Sequence, residues 1–453
     1  MAFKVRTMSE KLSSVQLIVL FYFLAVMVST VLLLLPAARN PGAELSIVDA
    51  LFTAASAVSV TGLTVVSTAE TFSTTGYFIL IFIVQFGGIG IMTLGTFVWL
   101  IMGKKIGFKE RQLIMIDQNR STFSGLVQLM REILSIIITI ELIGTVVLGT
   151  YFLQYYPTWQ EAYLHGLFAA VNAATNAGFD ITGQSMIPYA HDYFVQAVHM
   201  ILVILGAIGF PVLVELKEYI TYKGKGKSPY RFSLFTKLTT STFFLLLVIG
   251  TFFIYFFDRH HFFADKTWHE ALFYALFQGV STRSGGLVTM DLNDFSTPTH
   301  LVLAALMFIG ASPSSVGSGI RTTTFAIVAL SILAYAKGRS TVKVFRKEIH
   351  PVDVHRSFIV LTVAVFLCAV SFIILASTEP SLSLTAIVFE VCSAFGTTGL
   401  SLGITSELST LGKLLLIALM FIGRIGIFSL LFLIRGKEVK ENIHYPQERV
   451  SIG

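Results

Sequence analysis

Four short stretches of the sequence each end in a glycine, and their residue types suggest one shared chemistry. The final triplets are Val60-Thr61-Gly62, Asn176-Ala177-Gly178, Ser284-Gly285-Gly286 and Thr397-Thr398-Gly399. Because glycine adopts positive φ at little steric cost, the carbonyls around it can turn toward a common axis. Rings of backbone carbonyls can replace the hydration shell of a monovalent cation. One such glycine alone would be read as a packing or turn residue, but four in register predict a cation filter.

The segments that carry these triplets are too short to cross a membrane. A hydrocarbon core about 30 Å thick needs ~20 apolar residues, and residues 51–67 offer roughly a dozen before the Thr-Gly pair. Similar segments recur at 167–180, 276–289 and 388–401. Non-helical backbone at membrane depth is tolerated where it is buried in protein or lines a water-filled cavity. We therefore predict four re-entrant loops, each preceded by a short helix whose partly negative C-terminal end favours a cation.

The composition identifies the class of protein that must hold these loops. The chain has 453 residues, of which 54% are hydrophobic and 13% charged, and its mean hydropathy is +0.77. Soluble domains usually carry about 25% charged residues, so this is a polytopic membrane protein. The runs long enough to span are 15–36, 75–102, 130–154, 193–220, 234–257, 300–335, 357–377 and 409–434. Cys368 and Cys392 lie in apolar stretches and are read as packing residues.

The eight runs and four short segments form an internal repeat. The second run of each unit also contains a similar glycine patch, at 86–93, 205–212, 309–320 and 422–429. The predicted fold is all-α, with four helix–pore loop–helix repeats and eight transmembrane helices around one pseudo-fourfold pore. The predicted units are 1–110, 111–228, 229–347 and 348–435, followed by a cytoplasmic tail at 436–453.

The charge distribution predicts the orientation in the membrane. Most of the 32 lysines and arginines fall in loops on the same side as the N-terminus. The positive-inside rule then places both termini in the cytoplasm of a multi-pass protein of the cell membrane. The short segments must all enter from the outside.

The third unit departs from the others in its second run. The run contains a Gly/Ser-rich interruption made of Gly310, Ala311, Ser312, Pro313, Ser314, Ser315, Val316, Gly317, Ser318 and Gly319. Proline lacks the amide hydrogen and clashes with helical backbone, and glycine adds a further helix cost. The interruption is either a kinked helix or a flexible loop beneath the filter that acts as a gate.

Several charged residues lie within apolar segments. Arg424 is in the middle of the last run, where a charge costs at least ~2.5–3.5 kcal/mol on insertion scales, so we expect partners inside the bundle. It either holds the fold or lies near the gate, bonding freed carbonyls and opposing cations; the two roles are compatible. Arg321 is expected to extend toward the cytoplasm, and Arg283 to brace the filter backbone. Glu141 and Glu215 are read as structural or interfacial, with a role in ion attraction left open.

The sequence offers no sign of an enzyme. The histidines form no metal-binding motif, and no P-loop, nucleophile motif or dinucleotide fingerprint occurs. His165, His199 and His269 lie beside the short segments and are assigned to packing or capping. We predict no catalytic residue and no cofactor on this chain.

The whole chain resembles the Trk/Ktr/HKT superfamily of potassium transporters, and within it the membrane subunit of the Ktr type. The four filter loops, STRSGGL at 281–287, the interruption followed by RTTTF, and the ending YPQERVSIG carry this resemblance. It implies K⁺ bound at the twelve triplet residues, a gate formed by residues 310–319 with Arg424, and a homodimer with one pore in each protomer. A glycine in all four loops is the pattern associated with preference for K⁺ over Na⁺.

The resemblance also implies a partner. A separate cytoplasmic ring of RCK-type nucleotide-binding subunits would dock on the basic surface and the tail from Arg435 to Gly453. The surrounding lipid is the other partner, no nucleic acid is involved, and Na⁺ as an activator stays open. The loops keep one aligned glycine where the potassium-channel pattern TVGYG has two, which implies fewer ion sites and looser discrimination.

Two other classes of function would leave different marks in the sequence. An alternating-access cation symporter coupled to Na⁺ or H⁺ would be supported by inverted repeats and midplane acids. Here each unit has two full runs, so all units share one orientation, which favours a pore. A polytopic enzyme would need His, Asp or Glu clustered at one depth, and the sequence contains no such cluster.

Overall fold

The fold is given by a computed structural model. It describes residues 14–90, 126–222 and 230–434, together with Pro446, Glu448, Val450 and Ser451. The helices are α1 (Ser14–Leu34), α2 (Ile47–Ser59), α3 (Thr68–Thr71), α4 (Thr74–Ile89), α5 (Leu126–Phe152), α6 (Trp159–Ala174), α7 (Tyr193–Ala207), α8 (Phe210–Thr221), α9 (Leu234–Asp258), α10 (Trp268–Ser281), α11 (Thr297–Ile309), α12 (Thr322–Ala336), α13 (Pro351–Thr378), α14 (Leu384–Gly396), α15 (Thr410–Ile425) and α16 (Ile427–Ile434). Short 3₁₀ turns lie at Pro36–Ala38, Ile187–Tyr189, Leu292–Asp294 and Ile404–Glu407, and β1 (Lys343–Val344) pairs antiparallel with β2 (Lys347–Glu348).

Four long apolar helices form the outer wall of the described chain. α1, α5, α9 and α13 have 21, 27, 25 and 28 residues, each enough to cross a membrane. They leave large apolar side chains exposed, among them Phe23, Val146, Phe252 and Phe366. Lipid is the solvent that suits such a surface, so the structure is that of a multi-pass membrane protein.

A half-length helix follows each long one, as the sequence predicts. α2, α6, α10 and α14 have 13 to 16 residues and begin at a serine or threonine N-cap, at Ser46, Thr158, Thr267 and Ser383. Such a hydroxyl accepts from an N–H that the first turn leaves without a partner. At Thr267 the cap is reciprocal, because the carboxylate of Glu270 also accepts from the Thr267 amide at 2.9 Å. The side chains in the last two turns of these helices are almost all buried.

The packing of the short helices closes the bundle. Each packs against the long helix before it, and also against the inner helix of the preceding unit: α6 on α4, α10 on α7, and α14 on α11. The first short helix, α2, packs on α15 of the last unit. The helices therefore form a closed bundle, and the C-terminal ends of the short helices lie inside it.

The second run of each unit is not one straight helix. α7 and α8 meet at an angle of 104°, and α15 and α16 at 100°. Gly209 and Gly426 lie at these breaks with φ of 105° and 88°, a region that only glycine reaches easily. α11 and α12 are separated by residues 310–321, and α4 ends at Gly90 with φ of 97°.

The runs 193–220 and 409–434 are therefore bent, which the sequence did not predict, whereas the run 300–335 is interrupted at the Gly/Ser-rich segment that the sequence marks. Within the described residues there are four full-length membrane helices, or six if each bent pair is one span. The physical reason is the glycine patch itself. Hydropathy detects a run of apolar residues but does not detect the positive φ that turns the chain inside it.

Some predictions fall outside the described residues. These are the unit boundaries at 110/111, 228/229 and 435/436, the end of the run 75–102, and nearly all of the tail 436–453. The remaining boundary, 347/348, lies within β2.

Candidate functional site

The backbone of the four triplets follows one pattern. The final glycines, Gly62, Gly178, Gly286 and Gly399, have φ of 89°, 70°, 68° and 92°. The first residues, Val60, Asn176, Ser284 and Thr397, also have positive φ, of 58°, 53°, 82° and 45°. Positive φ is uncommon for non-glycine residues and costs energy, so its recurrence at four equivalent positions indicates a constrained site. Sequence reasoning placed all twelve triplet residues in the filter but did not predict positive φ at the first positions, since of their four residue types only asparagine favours it.

The four final glycines are neighbours in space. A Cβ built on Gly178 would lie 3.2 Å from the Cα atoms of both Gly62 and Gly286. A Cβ on Gly286 would lie 3.4 Å from the Cα of Gly399, and one on Gly399 would lie 3.1 Å from that of Gly62. The four glycines therefore form a closed ring, in which each contacts the next in the order Gly62, Gly178, Gly286, Gly399 and back to Gly62.

Carbonyl oxygens of the middle residues lie beside this ring. A Cβ on Gly62 would lie 2.5 Å from the oxygen of Ala177, and one on Gly178 would lie 3.4 Å from that of Thr61. The Thr398 oxygen lies beside Gly286, and the Thr61 oxygen beside Gly399. The ring is thus built from backbone alone, and a side chain on any of its glycines would meet a carbonyl or another main chain.

Hydrogen bonds from the last turn of each short helix hold the triplets. The amides of Thr61, Ala177 and Thr398 donate to carbonyls five residues earlier at 2.8, 2.8 and 2.9 Å. The third loop differs, because Gly285 donates to Ser281 at 2.6 Å and the hydroxyl of Ser284 donates to the Thr397 carbonyl at 2.6 Å. The third and fourth loops are therefore directly bonded to each other.

The segment 310–321, called the inserted loop from here on, is a compact loop rather than a kinked helix. Its ends are joined by bonds from Ile320 to the Phe308 carbonyl at 3.2 Å and from Arg321 to the Ile309 carbonyl at 3.0 Å. Most of its side chains are buried, and Val316 is completely so. The kinked-helix alternative is wrong, since no helix continues through Pro313.

The inserted loop fills the break between α7 and α8. Ser312 donates to the Ala207 carbonyl at 3.1 Å, Val316 donates to the Gly206 carbonyl at 3.2 Å, and the Ser314 carbonyl accepts from Phe210 at 2.8 Å. The ends of helices leave carbonyls and amides without intrahelical partners, and inside a membrane these must be satisfied by protein. The break in the second unit and the loop in the third therefore stabilise one another.

The side chain of Arg424 joins the inserted loop to a second break. Its guanidinium donates to the carbonyls of Val316 and Gly87, and to that of Gly88 at 3.1 Å. Gly87 and Gly88 are in the last turn of α4, just before the turn at Gly90. A cation that is partly buried inside a membrane protein is stabilised by such a set of acceptors. Arg424 thus binds carbonyls that two interruptions of regular structure leave free.

The inserted loop touches the third triplet. A Cβ on Gly317 would lie 2.7 Å from the Cβ of Ser284, and a Cβ on Gly88 would lie 3.3 Å from a methyl of Val316. The loop therefore lies between the third triplet and the end of α4.

Comparison with known proteins assigns the family. The TrkH family, described as cation transport proteins, matches residues 5–444. The chain belongs to the TrkH family. It is 58% identical to Ktr system potassium uptake protein D of Bacillus subtilis over all of both chains, and 35% identical to Ktr system potassium uptake protein B of the same organism over 97% of this chain and 96% of the other.

The chain is also similar to two further transporters. Potassium/sodium uptake protein NtpJ of Enterococcus hirae is 33% identical, over 98% of each chain. The crystal structure of the potassium transporter TrkH from Vibrio parahaemolyticus aligns with a TM-score of 0.71 at 20% identity, over 94% of this chain and 86% of the other. The fold is thus that of a TrkH-family membrane transporter.

Two other arginines of this TrkH-family chain differ from expectation. Arg321, expected to extend toward the cytoplasm, instead folds back onto the inserted loop, where its guanidinium donates to the carbonyls of Gly317 and, at 3.4 Å, Ser312. Arg283 is fully buried and donates to the carbonyls of Leu306 at 2.9 Å and Gly310 at 3.2 Å. It therefore braces the start of the inserted loop rather than the filter backbone, since the freed carbonyls at the end of α11 are its nearest acceptors.

Acidic and histidine side chains of the TrkH-family chain have local partners. Glu141 accepts from the side-chain amide of Gln85 at 2.5 Å, and Glu215 accepts from the Ser233 amide at 3.0 Å. Glu390, which sequence reasoning did not single out, is fully buried and accepts from the hydroxyls of Ser401, at 2.8 Å, and Thr405. His199 bonds the Val195 carbonyl at 2.8 Å. Over the described ranges, no group of three or more His, Cys, Asp or Glu could hold a metal ion.

Proposed function

We propose that this chain is the ion-translocating membrane subunit of a potassium uptake system. The observation that carries the proposal is the closed ring of Gly62, Gly178, Gly286 and Gly399 with carbonyl oxygens beside it. Backbone carbonyls at the ends of four short helices suit a dehydrated monovalent cation, and the helix ends add partial negative charge. The names of the Bacillus subtilis relatives, both Ktr system potassium uptake proteins, support K⁺ as that cation.

In this proposal the four triplets form the filter of one pseudo-fourfold pore. K⁺ binds at the backbone of residues 60–62, 176–178, 284–286 and 397–399. Each triplet has a single aligned glycine, so we expect fewer carbonyl rings, and looser discrimination between K⁺ and Na⁺, than in a filter with two glycines per strand.

The inserted loop is the gate in this proposal. It lies against Ser284 of the third triplet and is held by bonds to the α7 break and to Arg424. A loop held by hydrogen bonds can leave as a unit when those bonds break. The positive charge of Arg424 would also oppose a cation at that depth while the loop is seated.

The proposal includes partners and orientation. Because two relatives are called Ktr system proteins, we infer that the chain acts with other subunits: a second copy of itself and a cytoplasmic RCK-type nucleotide-binding ring. Both termini are then cytoplasmic, and nucleotide exchange on the ring shifts the gate. The name of the Enterococcus hirae relative, a potassium/sodium uptake protein, supports sodium as a second ion that influences transport.

Uptake by the chain itself tests the proposal. Rb⁺ and Na⁺ uptake would be measured in cells that lack other potassium uptake, for the wild type and for Gly286→Ser. The control is Gly403→Ser, which has a similar φ of 90° but, among the described residues, no atom within 4 Å of the added Cβ. We expect the wild type and the control to favour Rb⁺ and Gly286→Ser to lose that preference. If neither ion moves selectively and Gly286→Ser changes nothing, the filter assignment is wrong.

A further inference from the structure

We infer that Tyr22 is a positioning residue that couples the first filter triplet to the gate. The inference rests on the proposed function, since it assigns a role within the filter and gate described above. Tyr22 is on α1, far in sequence from the triplets and from Arg424, and no motif in the sequence marks it.

The hydroxyl of Tyr22 stands between two parts of the site. It donates to the carbonyl of Val58 at 3.0 Å and accepts from Nε of Arg424 at 3.0 Å. Its ring is 5% exposed and meets the ring of Phe421 edge-on at a centroid distance of 5.7 Å. Packing thus fixes the ring, and the two bonds fix the hydroxyl.

The Val58 carbonyl lies where α2 ends and the first filter loop begins. It lies in the last turn of α2, two residues before Val60, where the chain leaves the helix in a left-handed conformation. The amide that would bond it in a continued helix is that of Gly62, which instead donates to the hydroxyl of Ser56 at 3.1 Å. The Tyr22 hydroxyl therefore supplies a donor to a carbonyl that the start of the triplet leaves free.

The guanidinium of Arg424 transmits the state of the gate to this hydroxyl. The same planar group that donates to Tyr22 also donates to Val316 in the inserted loop. A charged donor polarises the hydroxyl that accepts from it and strengthens the onward bond to Val58. Because the guanidinium is rigid, losing the Val316 acceptor reorients all of its donors together.

This arrangement couples ion binding in the filter to the position of the inserted loop. If release of the loop weakens the bond between Tyr22 and Val58, then the first triplet binds ions differently when the gate is open. By linkage, ions in the filter must also shift the gate by the same factor.

A double-mutant cycle tests the coupling. The two changes are Tyr22→Phe, which keeps the ring and removes the hydroxyl, and deletion of residues 313–317, which removes the tip of the loop. The measured quantity is the Rb⁺ concentration for half-maximal uptake in the full chain. We expect the deletion to change this concentration about fivefold or more in the Tyr22 background. In the Tyr22→Phe background we expect a change of less than about twofold, because the path to Val58 is already cut.

The matched control is Tyr77→Phe. Tyr77 is on α4 and its hydroxyl donates to the Ala69 carbonyl at 3.1 Å, away from Arg424 and the Val58 carbonyl. We expect its cycle with the loop deletion to be additive. If Tyr22→Phe does not yield folded protein, Tyr22→Met replaces it in the cycle, since methionine fills a buried position adaptably and also lacks the hydroxyl.

Additive behaviour at Tyr22 overturns the inference. The same change of half-maximal concentration in both backgrounds, or no change on deletion in either, would mean that the hydroxyl only supports the fold. Failure of the proposed function would look different, because the wild type would then show no selective uptake of Rb⁺ over Na⁺.

Discussion

Arg424, on the last inner helix, donates through its guanidinium to the main-chain carbonyl of Val316 in the inserted loop. The two residues are 108 positions apart in sequence. The same guanidinium binds the end of α4, while the loop binds the end of α7. The inserted loop therefore satisfies free backbone groups at the end of α7 and, through Arg424, shares a donor with the end of α4, and these bonds hold the loop against Ser284 of the third triplet.

The first prediction follows from that relationship. We expect Arg424→Gln to raise uptake in the absence of any cytoplasmic partner, because charge-assisted bonds of roughly 1.5–3 kcal/mol would be lost from the seated loop. That loss corresponds to about a tenfold or larger rise in the open population. Arg424→Lys, which keeps the charge, should fall between wild type and glutamine. Initial Rb⁺ uptake rates, normalised to protein in the membrane, measure the effect; equal rates in all three proteins would contradict it.

The second prediction concerns the loop itself. Deleting residues 313–317 removes the Val316 carbonyl and amide, and with them the bonds to Arg424 and Gly206. We expect faster basal uptake that no longer responds to the cytoplasmic partner or its nucleotide. Uptake with and without that partner measures this. Transport that remained equally tight and equally regulated would show that the gate is elsewhere.

The third prediction is a graded series of alanine substitutions at glycines with positive φ. A Cβ at Gly399 would overlap the Thr61 carbonyl, whereas at Gly178 the nearest atom is 3.2 Å away and at Gly403 no described atom lies within 4 Å. Alanine at each of these three positions has a similar cost for positive φ, so a difference between the variants reflects the room available for the added methyl group. We expect loss of Rb⁺ over Na⁺ selectivity to be largest for Gly399→Ala, smaller for Gly178→Ala and absent for Gly403→Ala. Competition uptake measures the order, and an unaltered selectivity in Gly399→Ala would remove the glycine ring from the filter.

The sequence predicted the short helices and the glycines of the triplets because both leave a local signal. An apolar stretch of half the usual length, a serine or threonine cap such as Ser46, and a repeated glycine can all be read from residue types. The Gly/Ser-rich interruption was visible for the same reason, since Pro313 cannot continue a helix.

The rest depends on contacts that residue types do not encode. The breaks at Gly209 and Gly426 are hidden inside apolar runs, because a hydropathy scale sums side chains and is blind to φ. Arg321 was expected to extend toward the cytoplasm, but its guanidinium donates to the Gly317 carbonyl of the inserted loop. Tyr22 could not be found at all, since its importance comes from a bond to a residue 402 positions away.

The last prediction tests the closure of the bundle between its first and last units. Nζ of Lys413 on α15 lies 2.8 Å from a carboxylate oxygen of Asp49 on α2, and the two side chains are only 15% and 20% exposed. We expect Lys413→Met to lower the apparent melting temperature of the detergent-solubilised protein by a few degrees or less, since partly exposed pairs contribute about 1 kcal/mol or less. High salt should reduce the difference by screening the pair in the wild type.

The control is Lys337→Met at an exposed position, which should leave the melting temperature unchanged. The exchange Asp49→Lys with Lys413→Asp should recover only part of the loss, because a lysine in the first turn of α2 opposes the helix dipole. Equal melting temperatures for Lys413→Met and wild type at low salt would show that packing alone closes the bundle.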